Sequence, residues 1–203
     1  MSGRPREFDR AQVLEQIQHV FWERGFETTS MTDLVSATGL ASARLYAAYG
    51  SKETLFREAI ERYEQEEGGF AERALAEEPT AHRAIERTLR EAVDVYTRHG
   101  ARGCMVVSSA ANCSPANHEV RQWLTEHRRR RTASLVERLR DAVAMGELPD
   151  GTDVQALGDM YAAVLHGISV QARDGISRER LLALIEPAMT LISSRAATDH
   201  VVA

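Results

Sequence analysis

Hydrophobic and polar positions alternate along this chain with the spacing of α-helices: apolar residues recur three and four positions apart, and glycine or proline separates the stretches. Alternating β-branched runs and hairpin turns are nearly absent, which argues against a sheet. The first helix is expected to start after Asp9, a good N-cap, and to end at Gly25. Later helices are predicted near 80–99, 102–112, 116–146, 152–173 and 178–197. The fold class is therefore predicted to be all-α, with about nine helices in total.

Two short helices joined by a glycine turn follow the first one. Ser30 and Asp33 form a capping-box-like start, and Gly39 supplies the turn after the second helix. The third helix is predicted over about 42–49, and Ser51 caps a fourth. Short helices in this arrangement, supported by a longer helix on each side, are the components of a helix-turn-helix that reads DNA. The reading motif is expected at about 30–49.

A charged, glycine-containing segment interrupts the apolar periodicity after the fourth helix. Its sequence, EQEEGG over 64–69, is the best candidate for a domain boundary, although a continuous connecting helix would also fit. We therefore predict a DNA-binding domain over 1–66 and a C-terminal domain for ligand binding and dimerisation over 67–203.

Composition limits the class of protein. The 203 residues are 43% hydrophobic and 27% charged, as in an ordinary globular protein, and no uncharged apolar stretch approaches about 18 residues. The polar N-terminus has no leader pattern, so we expect a cytoplasmic protein without a membrane partner. The net charge of −5 does not exclude DNA binding, because only a local basic surface is needed.

The third helix is predicted to present short or hydrogen-bonding side chains to a DNA groove. Arg44 is its outward cation that can reach guanine with two hydrogen bonds, and Ser42 can address a base or a phosphate. Hydroxyls, one amine and the N-terminal arm are expected to hold phosphates. The complete set of expected DNA contacts is Arg4, Arg6, Thr29, Ser30, Ser42, Ala43, Arg44, Tyr46, Ala47, Tyr49 and Lys52.

The segment SMTDLVSATGLASARLYAAYGSKETLF resembles the helix-turn-helix of the tetracycline-repressor (TetR) family of bacterial regulators. The resemblance covers about the first third of the chain. It implies that Tyr46 and Lys52 grip the DNA backbone, and that the remainder dimerises and senses a small molecule. Ala41 stands where the family often has a hydroxyl N-cap, and Ala47 and Ala48 replace bulkier residues, so the operator sequence is not implied.

The last two predicted helices have wide apolar faces, which is more than an amphipathic surface helix needs to bury. We expect them to form a two-fold, four-helix interface in a homodimer, an arrangement that the resemblance also implies. The alternative is that both helices are internal core. The predicted interface consists of Leu157, Tyr161, Val164, Leu165, Ile168, Leu181, Leu182, Ile185, Met189 and Ile192.

A small-molecule effector of unknown identity is expected to enter the C-terminal domain and to move the two reading heads out of register on operator DNA. The middle helices offer an apolar wall with a few polar groups. Each such residue could equally be simple core. The predicted pocket lining is Tyr96, Cys104, Met105, Ser108, Trp123, Tyr161 and His166.

Other classes of protein find less support in the residues. Cys104 and Cys113 could make the chain a thiol- or metal-responsive repressor, but burial as small apolar residues is the simpler interpretation. Enzyme motifs are missing: the chain has no glycine-rich phosphate loop, no nucleophile elbow and no zinc-binding helix. We expect no catalysis, no cofactor and no metal. A helical adaptor without DNA binding remains the alternative class, and the main prediction is a DNA-binding repressor.

Overall fold

Helices make up almost all of the described chain, which comprises residues 8–98, 100–111 and 113–196 of a computed structural model. No β-strand forms within these ranges, so the all-α prediction is confirmed. Two 3-10 turns, Glu67–Gly69 and Pro115–Asn117, join some of the helices. The eleven α-helices of the described ranges are α1 (Arg10–Thr28), α2 (Met31–Thr38), α3 (Ser42–Tyr49), α4 (Lys52–Gln65), α5 (Phe70–Glu77), α6 (Ala81–Thr97), α7 (Met105–Ala111), α8 (His118–Ala144), α9 (Val154–Arg173), α10 (Arg178–Leu182) and α11 (Ile185–Ala196).

The helices of the N-terminal region start at the residues that the sequence indicates. The Asp9 carboxylate accepts hydrogen bonds from two backbone N–H groups in the first turn of α1. Ser30 Oγ accepts from the Asp33 N–H at 3.2 Å, and the Asp33 carboxylate accepts from the Ser30 N–H at 2.8 Å, which completes a capping box. Gly25 breaks α1 with a φ of 81°, a region that favours glycine. The predicted caps are confirmed, but Gly25 kinks α1 and does not end it, because the helix resumes and runs to Thr28.

The later helices depart from the predicted bounds in three places. Helix α5 was not predicted, because its eight residues give barely two turns of periodicity beside a charged segment. The helix expected from residue 102 begins at Met105, since Gly103 holds a positive φ of 66°. The stretch expected as one helix over 178–197 is divided into α10 and α11 at 183–184. The count therefore exceeds the predicted nine.

Two hydrophobic cores organise the fold. One core joins α1, α3 and α4, where the Phe56 ring lies 5.1 Å from Phe21 and 5.0 Å from Phe26, measured between centroids. Met105 of α7 and Leu124 of α8 are also buried in this core. The other core joins α5, α6, α9, α10 and α11 with the later part of α8. Helices α1 to α4 form the reading head, and α7 and α8, which follow the predicted boundary at residue 66, complete its core.

The predicted dimer interface needs correction. Eight of its ten side chains are buried inside a single chain, because α9, α10 and α11 turn their widest apolar faces toward α6 and toward each other. Side chains in that position cannot also cover a second copy. Only Val164 and Leu182 of the predicted set stay half-exposed. The buried eight are Leu157, Tyr161, Leu165, Ile168, Leu181, Ile185, Met189 and Ile192.

Candidate nucleic-acid interface and effector cavity

Helix α3 separates an inner from an outer face. Leu45 is buried in the core that joins α1 and α4. On the opposite side Ala43 and Ala47 are exposed, and Tyr46 keeps 47% of its surface accessible. Ser42 is half-buried at the start of the helix. The outward surface is therefore short and smooth apart from the Tyr46 ring.

Arg44, on the same helix, is held against the N-terminal segment. Its guanidinium carbon lies 5.0 Å from the centre of the Phe8 ring, a cation–π distance. The side chain is half-buried. Arg44 thus packs against the Phe8 ring of the segment that precedes α1.

Ser30 and Lys52 stand at the starts of α2 and α4. Ser30 is exposed, although its hydroxyl already donates to the Asp33 carboxylate at 2.6 Å. The Lys52 Nζ lies 4.5 Å above the Phe26 ring, and burial lowers the pKa of this amine while the carboxylate of Glu27 raises it. Both side chains flank α3 at helix N-termini, where backbone N–H groups favour anions.

Two of the expected phosphate contacts are wrong. Thr29 is buried, and its hydroxyl donates to the Gly25 carbonyl at 2.7 Å across the kink in α1. Tyr49 is also buried; its hydroxyl donates to the Arg10 carbonyl at 3.2 Å, and the Arg10 guanidinium covers its ring at 4.3 Å. These hydroxyls hold the reading head together and do not reach its surface. Two further expected contacts, Arg4 and Arg6, lie outside the described residues.

Polar links between the head and the C-terminal helices were not predicted. The Glu27 carboxylate accepts hydrogen bonds from the Ser114 N–H at 3.1 Å and from the Asn117 amide at 2.9 Å, and these bonds lower the pKa of Glu27. The Trp22 indole donates to the Gly103 carbonyl at 2.8 Å. No signal in the sequence pairs these partners, since they lie more than 80 positions apart.

A further link joins α9 to the head. The Arg173 guanidinium donates to the carbonyl of Glu23 at 3.0 Å and to that of Arg102 at 3.3 Å. It therefore connects α1, the segment before α7 and the end of α9.

A small cavity of about 30 Å³ lies between the head and the C-terminal helices. Three residues of the predicted pocket, Tyr96, Cys104 and His166, line it. The remaining polar lining comes from α4 and α8, and no pattern in the sequence predicts it. The complete lining is Tyr63, Glu64, Gly68, Tyr96, Cys104, Val106, Val107, His127, Arg128, Arg131, Leu165 and His166.

The other four predicted pocket residues pack elsewhere. Met105 is buried in the core of the head. The Ser108 hydroxyl donates to the Arg102 carbonyl at 3.5 Å, and that of Tyr161 donates to the Ala188 carbonyl at 3.0 Å. The Trp123 ring stacks edgewise near Phe56. These four side chains face other parts of the fold and do not line the cavity, so the prediction that they do is wrong.

The two cysteines remain separate thiols. Cys104 lines the cavity, whereas the Cys113 thiol donates to the Asn117 carbonyl at 3.4 Å in the turn before α8. Burial raises the pKa of the Cys113 thiol. Across the residues that the structure describes, no three His, Cys, Asp or Glu side chains gather as a metal site would require.

Within the described residues, no helix combines the length and the apolarity needed to cross a membrane.

Comparison with family models assigns both halves of the chain to one group of proteins. Residues 13–59 match the model described as "Bacterial regulatory proteins, tetR family". Residues 81–183 match the model described as "Tetracyclin repressor-like, C-terminal domain". The first match contains α3 and its exposed face, and the second covers α6 to α10.

Individual relatives agree over nearly the whole length. The HTH-type transcriptional repressor ComR of Escherichia coli strain K12 is 31% identical over 182 residues, 89% of this chain and 87% of ComR. A cysteine-substituted form of the TetR family regulator CifR, solved with 26-bp double-strand operator DNA, is 41% identical with a TM-score of 0.88, covering 92% of this chain and 98% of that one. A putative TetR transcriptional regulator from Rhodococcus sp. RHA1 is 38% identical with a TM-score of 0.63, covering 91% and 98%.

Proposed function

The chain belongs to the TetR family of bacterial transcriptional regulators, and on this basis we propose that it is a repressor that binds operator DNA as a homodimer and leaves it when a small molecule binds. The head around α1 to α4 is the DNA-binding domain, near 1–66. Residues 67–203 carry ligand binding and dimerisation. Because its target is genomic DNA, the protein acts in the bacterial cytoplasm.

The observation that carries this proposal is the outer face of α3. A major groove about 12 Å wide admits a helix only where no bulky side chain holds it away. Ala43 and Ala47 are exposed and small, and Ser42 adds a short hydroxyl. Arg44, released from the Phe8 ring, reaches guanine with two donors. We infer that α3 is the reading helix.

Phosphate contacts flank this helix. Tyr46 is exposed on the outer side of α3, Lys52 is the first residue of the next helix, and Ser30 caps the start of α2. Such contacts fix the position of the helix without reading sequence. The relative CifR was solved with operator DNA, which supports transferring this mode of binding to the present chain.

The homodimer uses an outward stripe formed by α9, the end of α10, the α10–α11 turn and α11. Large exposed apolar side chains are few in the described chain, and three of them lie here: Val170 on α9, Leu184 in the turn and Leu191 on α11. Small or half-exposed residues at helical spacing extend the stripe, so a second copy can approach closely. Two heads joined in this way engage half-sites about 34–36 Å apart. The full stripe is Ala156, Met160, Ala163, Val164, Gly167, Val170, Leu182, Leu184, Ala188 and Leu191.

Operator binding should weaken steeply with salt. Each head brings at least Arg44 and Lys52, so a dimer displaces about four counterions or more, and affinity should fall roughly a hundredfold between about 50 and 200 mM salt. Fluorescence anisotropy with DNA from upstream of the protein's own gene measures this slope. A scrambled duplex of equal length is the control. A helical adaptor would bind neither duplex at low salt, and that result would refute the regulator.

The groove-facing position Ala47 provides a second test. We expect Ala47→Glu to lower operator affinity by at least about a hundredfold, because a carboxylate on the outer face of α3 repels phosphates and adds bulk in both heads. Ala133→Glu, at another exposed helical alanine on α8, is the matched control and should bind normally. Circular dichroism checks that both variants fold. If the two variants bound the operator with equal affinity, the proposal that α3 lies in the groove would be wrong.

A further inference from the structure

The cavity between the head and the C-terminal helices is short of hydrogen-bond acceptors. Tyr63 is 1% exposed and lines the cavity beside the Cys104 thiol, yet its hydroxyl makes no hydrogen bond of acceptable geometry among the residues described. The Nε donors of Arg128 and Arg131, both of which line the same space, are buried and equally unsatisfied within the described chain. Buried donors without acceptors are costly, and they gather where a protein receives a ligand.

The other hydrogen bonds of the two arginines leave these donors available. One Arg131 Nη donates to the Gly68 carbonyl at 3.4 Å, and Arg131 Nε stays 3.5 Å from the largely exposed Glu72 carboxylate without a hydrogen bond. One Arg128 Nη donates to the Thr125 hydroxyl at 3.3 Å. Each guanidinium is therefore anchored at its tip while its Nε is left without an acceptor.

Two strong acceptors in the lining are already engaged. The Glu64 carboxylate contacts His127 Nδ1 at 2.8 Å, and the Gly68 carbonyl receives the Arg131 donor. His166 faces a positive environment: burial first, and then the charges of Arg128 and Arg131, lower its pKa and favour the neutral ring. The cavity thus has unsatisfied donors on two neighbouring guanidinium groups, of which Arg131 is offset in part by the Glu72 carboxylate, and an anion with acceptor oxygens would satisfy them.

We propose that this cavity binds a small carboxylate, held by Arg128, Arg131 and Tyr63, and that this carboxylate, or a larger molecule that carries it, is the effector of the regulator. The second part rests on the proposed function; the first does not. A carboxylate has two acceptor oxygens in one plane, which suits neighbouring guanidinium donors and a phenol. The volume of about 30 Å³ admits only a few heavy atoms unless the helices move apart.

The position of the cavity explains how such binding would reach the DNA. Tyr63 lies on α4, whose first residue is Lys52, while Arg128 and Arg131 lie on α8. An anion bridging these side chains pulls the end of α4 toward α8, and α4 packs on α1 inside the head core. The ligand-bound state is therefore one in which the head is rotated against the C-terminal helices.

Acetate is the probe for this site, with acetamide as its neutral counterpart of equal shape. At constant ionic strength, acetate at about ten times its dissociation constant should raise the Tm by about 4 °C, and acetamide should not. Tyr63→Phe removes only the unpartnered hydroxyl, so it should keep or raise the Tm without ligand and weaken acetate binding about tenfold. Arg131→Met should abolish the response. Arg130→Met, an exposed arginine on the same helix, should leave it unchanged.

The outcomes separate the two parts of the proposal. No acetate-specific shift, or a shift that survives in both Tyr63→Phe and Arg131→Met, overturns the site. A response to inorganic phosphate but not to acetate, lost in Arg131→Met, overturns the carboxylate in favour of an oxoanion. Anisotropy of the operator complex then tests the effector role: acetate must release the DNA at constant ionic strength. Failure to bind operator in any condition would refute the regulator while leaving the Tm result intact.

Discussion

Replacing Gly103 by alanine should lower the free energy of unfolding by about 3–4 kcal/mol, the largest loss expected from so small a change. Gly103 holds a φ of +66°, and an added Cβ would lie 2.4 Å from the carbonyl oxygen of Ser169 in α9. The Gly103 carbonyl accepts a hydrogen bond from the Trp22 indole, and the next residue, Cys104, donates its N–H to the Ser169 hydroxyl at 2.8 Å. Moving Gly103 away from α9 would therefore break contacts on both sides. Urea unfolding followed by circular dichroism measures the loss.

Gly100→Ala is the matched control for this prediction. Gly100 also has a positive φ, of +90°, but an added Cβ would meet no described atom within 4 Å. It should show only the backbone cost, about 1–2 kcal/mol. If both variants lost the same free energy of unfolding, the close approach of the Gly103 backbone to α9 would not contribute to the loss, and the prediction would be wrong.

A charge on the dimer stripe should have the largest effect on DNA binding after changes in the reading helix itself. Val170→Glu places two carboxylates across a two-fold interface at a side chain that is 52% exposed in the single chain, so it should not unfold the protein. We expect a monomer in light scattering after size-exclusion chromatography. Operator affinity should fall roughly a hundredfold or more, because binding by the second head is no longer intramolecular.

Met145→Glu is the control for the dimer prediction. Met145 is 72% exposed at the end of α8 and is another large apolar surface residue, but it lies off the stripe. It should remain dimeric and bind DNA normally. If Val170→Glu combined with Leu191→Glu were still a dimer, the interface would have to lie on another face.

The reading head and the C-terminal helices share a core, and this bears on the mechanism. Met105 and Leu124 are buried with the aromatic residues of α1 and α4, while Glu27 and Arg173 add polar links. A head tied by side chains from α7, α8 and α9 cannot swing freely on a linker. Regulation therefore has to act through rearranged packing between two discrete states, consistent with a small ligand at the shared surface.

The local architecture of this protein was determined by the sequence itself. The Asp9 cap, the capping box of Ser30 and Asp33, and the break at Gly25 act between residues at most four positions apart. Their geometry depends on short-range hydrogen bonds and on the steric freedom of glycine, so it can be derived without knowing the fold. The exposed side of α3 follows from the same periodicity.

Only the tertiary structure decided which apolar groups are buried, and which polar groups are hydrogen-bonded, within a single chain. Periodicity identifies the apolar faces of α9 and α11 but not the helix that covers them, and α6 takes the face expected for a second copy. The hydroxyls of Thr29 and Tyr49 donate hydrogen bonds to backbone carbonyls of α1 and do not reach the surface of the reading head. The cavity likewise joins Tyr63 of α4 to Arg131 of α8, residues distant in the chain. Burial and hydrogen-bond supply are properties of three-dimensional neighbours, and no spacing along the sequence encodes them.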